Sequence, residues 1–129
     1  MILLDTHVLA WLAMEPTKLS RQASSAVRRA SRSGGLSISA VSLWELAWLA
    51  RNGRLQISGT VDSFLEKSSS RFAVLPITPK IAALATQFPS DYPNDLCDRL
   101  IGATAWAEGV LLITKDERVR SCKLLRTLW

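Results

Sequence analysis

Four carboxylates stand out by where they fall. Asp5 follows directly on the apolar run Ile2-Leu3-Leu4, and Asp116 closes "LLITKD", just past a second apolar run. Glu45 sits inside "SAVSLWELAWLA", where the residues one helical turn away are Val41, Trp48 and Leu49. Asp98 lies in "PNDLCDRLIGATA", with the small residues Gly102 and Ala105 further along its face. Each has a structural alternative. Asp5 and Asp116 could be turn residues or helix caps. Asp98 could be a first-turn acid behind an Asp95 N-cap, favoured there by the helix dipole. Ser42 and Glu45 have the spacing of a capping box, although Ser39 offers an earlier helix start straight after a strand. A lone carboxylate on so apolar a helix needs a partner, a proton or a metal ion.

Brought together, the four acids would repel. At about 4–5 Å and an effective dielectric near 20, each ionised pair costs roughly 3–4 kcal/mol. Protonation or a cation relieves that. Oxygen-only ligands select hard ions, Mg²⁺ or Mn²⁺, and no His/Cys cluster is present to hold zinc. Carboxylate-bound Mg²⁺ beside a basic surface points to phosphodiester chemistry. The start of a helix at Asp95 would also suit a phosphate.

The elements needed to position these acids can be read from the pattern. Ile2–Leu4 is a short strand and 8–13 a short helix stopped by Pro16. Ser20 caps a helix that ends at Gly34-Gly35, with Arg21, Arg28 and Arg32 on one side and Ala23, Val27 and Ala30 opposite. Leu36–Ser39 is a second strand, leading into a helix over Ala40–Arg51 that Asn52-Gly53 stops. A helix over Val61–Ser69 follows, then a strand in "FAVLPIT" and a helix opened by Pro79. The loop "FPSDYPND" introduces a helix over Leu96–Glu108, closed by Gly109. "VLLIT" (110–114) is a fourth strand and "LLRTL" a fifth. Alternating strands and helices predict an α/β fold with a mainly parallel sheet covered on both faces. In such sheets ligands gather beyond the carboxyl ends of the strands, where Asp5 and Asp116 fall.

The bulk properties agree. With 129 residues, 48% of them hydrophobic, the chain is expected to form one globular domain over 1–129. No run approaches the roughly 18 apolar residues of a membrane span, no secretory signal is evident, and Cys97 and Cys122 fit no zinc spacing or disulfide framework. A cytoplasmic location is expected. The net charge of +5 is uneven. Lys18, Arg21, Arg28, Arg29 and Arg32 occupy an acid-free stretch, and Lys115, Arg118, Arg120, Lys123 and Arg126 crowd the end. Such stripes suit a polyanion, or are simply solvated helix faces.

In order and spacing, "LLDTHVLAWL", "SISAVSLWEL", "DLCDRLIGATA" and "LLITKD" resemble PIN domains, and most of all the VapC-type toxins of bacterial toxin–antitoxin pairs. The likeness runs from Ile2 to about Leu128. It implies a three-layer α/β/α sandwich with a metal-dependent endoribonuclease site. Asp5, Glu45, Asp98 and Asp116 would hold one or two Mg²⁺ or Mn²⁺ ions, Thr6 and Thr114 would support them, and Asp95 matches a frequent extra acid. Asp5, Asp98 and Asp116 would act as ligands, with Glu45 binding metal or orienting water for in-line attack that leaves 5′-phosphate and 3′-hydroxyl ends. The resemblance further implies a structured RNA substrate such as tRNA or rRNA, inhibition of translation, neutralisation by a cognate VapB-type antitoxin, and a homodimer. Many relatives have proline where this chain has Leu96, which would loosen the helix start.

Arg99 and Lys115, each beside a ligand, could contact RNA phosphates or point away as surface charge. His7 is expected to make a helix-start contact and Cys97 to fill space. Trp44 and Trp48 are expected to pack in the core or a partner groove, and Trp11, Trp44 and Trp48 together could line a groove for an antitoxin helix. Two other functions remain open: a catalytically silent RNA- or protein-binding module, and a metal-dependent phosphohydrolase acting on DNA or a small ester.

Overall fold

The computed structural model describes all residues, 1–129, and contains one sheet of five parallel strands. The strands are β1 (Ile2–Leu4), β2 (Leu36–Ser39), β3 (Ala73–Leu75), β4 (Leu111–Ile113) and β5 (Thr127–Leu128), in the spatial order β3-β2-β1-β4-β5. The helices are α1 (Thr6–Met14), α2 (Arg21–Arg32), α3 (Ala40–Arg51), α4 (Val61–Ser69), α5 (Pro79–Ala85), α6 (Leu96–Glu108) and α7 (Glu117–Arg120). No helix is long and apolar enough to cross a membrane.

The period-2 alternation of the strands sorts the core into two layers. Leu3 and Leu112 face a cluster with Ile81, Phe88, Tyr92, Ile101 and Val119. Their strand neighbours Leu4 and Ile113 face the opposite cluster, with Val8, Leu9, Val27, Ile38 and Leu46. Both faces of the sheet are therefore covered, as parallel sheets require.

Several boundaries moved from the sequence expectation for physical reasons. The first helix starts at Thr6 and not Val8, because Asp5 already caps it through the Thr6 N–H. The third strand keeps only Ala73–Leu75 of "FAVLPIT", since Pro76 has no N–H to add to a ladder. The helix starts at Leu96 as expected, where many relatives carry a proline, with Asp95 accepting from the Asp98 N–H at 3.1 Å. The short helix α7 was not foreseen; Asp116 caps it through the N–H groups of Arg118 and Val119.

The strand order carries one consequence for the site. From β1 the chain steps outward to β2 and β3 on one side, then returns to β4 and β5 on the other. The order reverses between β1 and β4, and the crevice at such a reversal lies beyond the carboxyl ends of the strands. Asp5 and the Thr114–Asp116 segment leave β1 and β4 at that crevice.

Candidate active site

Asp5, 4% exposed, is held on both carboxylate oxygens. One accepts from the Thr6 N–H at 2.8 Å, and the other accepts from the Thr114 hydroxyl at 2.7 Å. The Thr114 hydroxyl in turn accepts from the Asp116 N–H at 3.1 Å. One buried hydroxyl thus joins the ends of β1 and β4 and sets the spacing of their two acids. Thr6 does the same toward α3: its hydroxyl donates to Glu45 and lies 2.9 Å from the Ser42 hydroxyl. Glu45 is not in a capping box, because Ser39 caps α3 through the Val41 N–H.

Asp98 enters from the first turn of α6. Its backbone carbonyl accepts from the Tyr92 hydroxyl at 2.7 Å, and Tyr92 stacks on Phe88 with centroids 4.0 Å apart. The space beside Gly102 belongs to this tyrosine: a Cβ there would lie 2.2 Å from the Tyr92 hydroxyl. Gly102 therefore makes room for a side chain of the protein itself.

The charges of neighbouring acids reach both Asp98 and Glu45. Burial, then the charges of Asp5, Asp95, Asp116 and Glu45, push the Asp98 carboxyl up to about 7. Glu45 is also raised, first by burial; the Thr6 hydrogen bond opposes this, and Asp5 and Asp95 add to it. Cys97 is buried, and its thiol is pushed up to about 12 by burial and by Glu45, Asp95 and Asp98. The donor atoms of Glu45, Asp95 and Cys97 all lie within 4.8 Å of one another.

No lysine or arginine answers this charge. The ion pairs of the chain are His7 with Asp5 at 3.6 Å and Lys18 with Glu15 at 3.4 Å. Arg99, next to Asp98, instead donates to the Ala85 carbonyl and to Asn94, fastening α6 to α5 and the preceding loop. Lys115 is exposed, with its ammonium 5.6 Å from the Trp11 ring centroid. His7 accepts the Lys115 N–H on Nε2 at 3.2 Å, which leaves Nδ1 to carry the proton and face Asp5. It ties the two strand ends together, more than a local helix-start contact.

Five carboxylates with no lysine or arginine partner fit a divalent cation. The donors are nearly all oxygens, which favours a hard ion, and Asp98 reaches ionisation only near neutrality without one. Asp98 lies within reach of the charges of Asp5, Glu45, Asp95 and Asp116, while the donor atoms that gather most tightly are those of Glu45, Asp95 and Cys97. Ser42, Tyr92 and the inward thiol of Cys97 carry parts of the site that sequence reasoning gave no role. The only tyrosine of the chain, set in "FPSDYPND" just before the acids, was the available signal for Tyr92.

Of the two alternatives for Trp44 and Trp48, core packing is ruled out. Trp44 and Trp48 are 60% and 47% exposed and lie outside the core. An apolar groove does exist, but Leu9, Leu12, Met14, Leu46, Leu55, Phe64 and Phe72 line it, between α1, α3 and α4, and none of Trp11, Trp44 and Trp48 does. Trp11 lies on the other side of α1, toward His7.

Residues 2–123 match the profile of the PIN domain. The chain is 43% identical over 130 residues to Ribonuclease VapC22 of Mycobacterium tuberculosis, an alignment spanning 99% of this chain and 98% of that protein. Its fold is similar to VapBC2 from Rickettsia felis bound to a promoter DNA fragment, with TM-score 0.76, 17% identity and coverage of 99% and 98%. It is likewise similar to DNA-bound VapBC from Salmonella typhimurium, with TM-score 0.74, 18% identity and coverage of 98% and 96%. At those identities the solved structures establish the fold.

Proposed function

This chain belongs to the PIN-domain family, and on that premise we propose that it is a Mg²⁺- or Mn²⁺-dependent endoribonuclease toxin. The observation that carries the reading is the cluster of Asp5, Glu45, Asp95, Asp98 and Asp116 at the strand-order reversal, with no basic partner on the carboxylates but His7. The relative named a ribonuclease, similar over the whole chain, supports RNA as the substrate.

In this reading Asp5, Asp98 and Asp116 hold the cation, and Glu45 holds it or orients the attacking water. A bound Mg²⁺ or Mn²⁺ would activate water and neutralise charge on the scissile phosphate. The protein's own part is positioning. Thr114 fixes Asp5 against Asp116, Thr6 fixes Glu45, and the Tyr92 hydroxyl anchors the turn of α6 that presents Asp98. Groups held this way keep their geometry when the RNA arrives, which is where much of the rate advantage arises. Lys115, exposed between Thr114 and Asp116, is placed to meet an RNA phosphate; Arg99 is committed to α5.

A VapB-type antitoxin is the proposed partner, in keeping with the toxin–antitoxin complexes that share the fold. The apolar groove between α1, α3 and α4 is a suitable seat for one of its segments, as an amphipathic helix would need. A homodimer and a cytoplasmic site of action, with inhibition of translation as the outcome, complete the proposal.

The test is incubation of antitoxin-free protein with total cellular RNA, and with DNA in parallel, under Mg²⁺, Mn²⁺ or EDTA, followed by mapping of new ends. Discrete metal-dependent cuts in RNA with 5′-phosphate ends, absent in Asp98→Asn, are expected. Uncut RNA alongside cut DNA would replace the substrate class. Folded protein that cuts neither and melts identically with and without metal would make this a binding module.

A further inference from the structure

We propose that Trp11, with His7, Lys18 and Lys115 around it, forms a nucleotide subsite beside the carboxylates that takes an unpaired base of single-stranded RNA and its phosphate. This deepens the ribonuclease reading and rests on it.

The geometry comes first. Two ammonium groups converge on one indole: Lys18 Nζ lies 5.7 Å and Lys115 Nζ 5.6 Å from the Trp11 centroid. The His7 ring lies 5.0 Å from the same indole, tilted by 58°, and Trp129 lies 5.8 Å away. This cluster touches the acids directly, since His7 Nδ1 is 3.6 Å from Asp5 and Lys115 stands between Thr114 and Asp116.

The charges are the informative part. Lys115 is the cation nearest in sequence to Asp116, yet it makes no ion pair with any site carboxylate and extends instead toward the indole. Lys18 pairs only with Glu15, a half-exposed residue away from the site, and reaches the ring from the opposite end of α1. Holding an internal contact between α1 and Trp129 would explain the paired indoles. It would not require two lysines on one ring. A partly buried indole with two positive groups over its ring suits a nucleotide, whose base stacks on an aromatic face while its phosphate meets the ammonium groups. The lysines that cover the indole in the free protein would move to the phosphate as the base replaces them. Stacking needs an unstacked base, so the subsite selects single-stranded segments, loops or bulges next to the scissile bond.

The experiment measures binding of a fluorescein-labelled, eight-nucleotide single-stranded RNA, by anisotropy in Mg²⁺, to the Asp98→Asn protein. A fully abasic oligomer of equal length serves as the second probe. Adding Trp11→Leu is expected to weaken RNA binding about tenfold and leave the abasic oligomer unchanged. Adding Lys18→Ala and Lys115→Ala together is expected to weaken both probes several-fold and lower the salt dependence. Unchanged RNA affinity in a normally melting Trp11→Leu protein overturns the subsite. Should Trp11→Leu not fold, the exposed lysine pair decides alone, and unchanged RNA affinity on its removal overturns the subsite. Loss of antitoxin binding with RNA affinity intact also overturns it, assigning the cluster to the protein partner. Wild-type protein that cuts RNA while these variants bind normally refutes the subsite only. Wild-type protein that neither binds nor cuts RNA refutes the ribonuclease reading, and the subsite with it.

Discussion

Replacing Asp98 by asparagine should stabilise the metal-free protein. Burial and four neighbouring carboxylates raise the Asp98 carboxyl from 3.8 to about 7. Between those values the folded state binds a proton that the unfolded state does not. By linkage, stability then falls as pH rises through that window, and the whole penalty is present above about pH 7. Full conversion of the shift gives about 4 kcal/mol. Asp98 is only partly buried, so solvent screening reduces this to about 1–2 kcal/mol. Losing a negative charge from the first turn of α6 returns about 0.3–1 kcal/mol. The net expectation is a gain of about 1 kcal/mol at pH 8 in EDTA, or about 3–5 °C in Tm for a domain of this size. The gain should shrink steadily from pH 7 toward pH 4. Thermal melting of wild type and Asp98→Asn across that range, each with EDTA or Mn²⁺, provides the assay. With Mn²⁺ at a hundred times its Kd the wild type gains about 2.7 kcal/mol, so the order of the two proteins should reverse. An Asp98→Asn protein no more stable than wild type at pH 8 in EDTA would refute the view that uncompensated repulsion is stored at this site.

Other consequences follow from the same geometry. Thr114→Val removes the hydroxyl between Asp5 and the Asp116 N–H; metal affinity should drop about 10–100-fold, as read by titration with Mn²⁺, with the fold retained. Gly102→Ala places a Cβ 2.2 Å from the Tyr92 hydroxyl, and overpacking there should cost about 1–3 kcal/mol in chemical denaturation. Tyr92→Phe leaves that space open and removes only the hydrogen bond to the Asp98 carbonyl, for about 1 kcal/mol; a loss as large as that of Gly102→Ala would contradict the packing account. Single-turnover cleavage at fixed subsaturating Mg²⁺ should rise with pH toward about 7 and then level, because a proton competes with the cation at Asp98; a flat profile from pH 5 to pH 8 would contradict it.

The sequence exposed more of this molecule than its short elements would suggest, and the reason lies in the parallel sheet. Buried parallel strands read as apolar runs, and an acid at the end of a run is visible as a break in pattern; Asp5 and Asp116 were legible for that reason. Caps were legible too, because Ser20, Ser39 and Asp95 each precede a helix with the chemistry its first turn needs. Glu45 was conspicuous for its apolar neighbours, two of which, Trp48 and Leu49, turned out to be less enclosed than the pattern implied. Apolar residues on a helix do not say whether a sheet or solvent covers them, so core packing of Trp44 and Trp48 did not hold. Long-range partners were the least legible. That Thr6 meets Ser42 and Glu45, that Tyr92 occupies the space beside Gly102, and that Arg99 is spent on the Ala85 carbonyl all depend on how α6 lies over the sheet. No local spacing encodes that.

The most direct test of the central claim is calorimetric titration of Mn²⁺ into metal-free wild type, Asp5→Asn and Asp98→Asn at pH 8. Saturable binding to the wild type, with affinity lost in both variants, is the predicted result. A folded wild type that shows no saturable binding at millimolar Mn²⁺ would contradict the account, and the five carboxylates would then be bearing their repulsion for some purpose other than holding a cation.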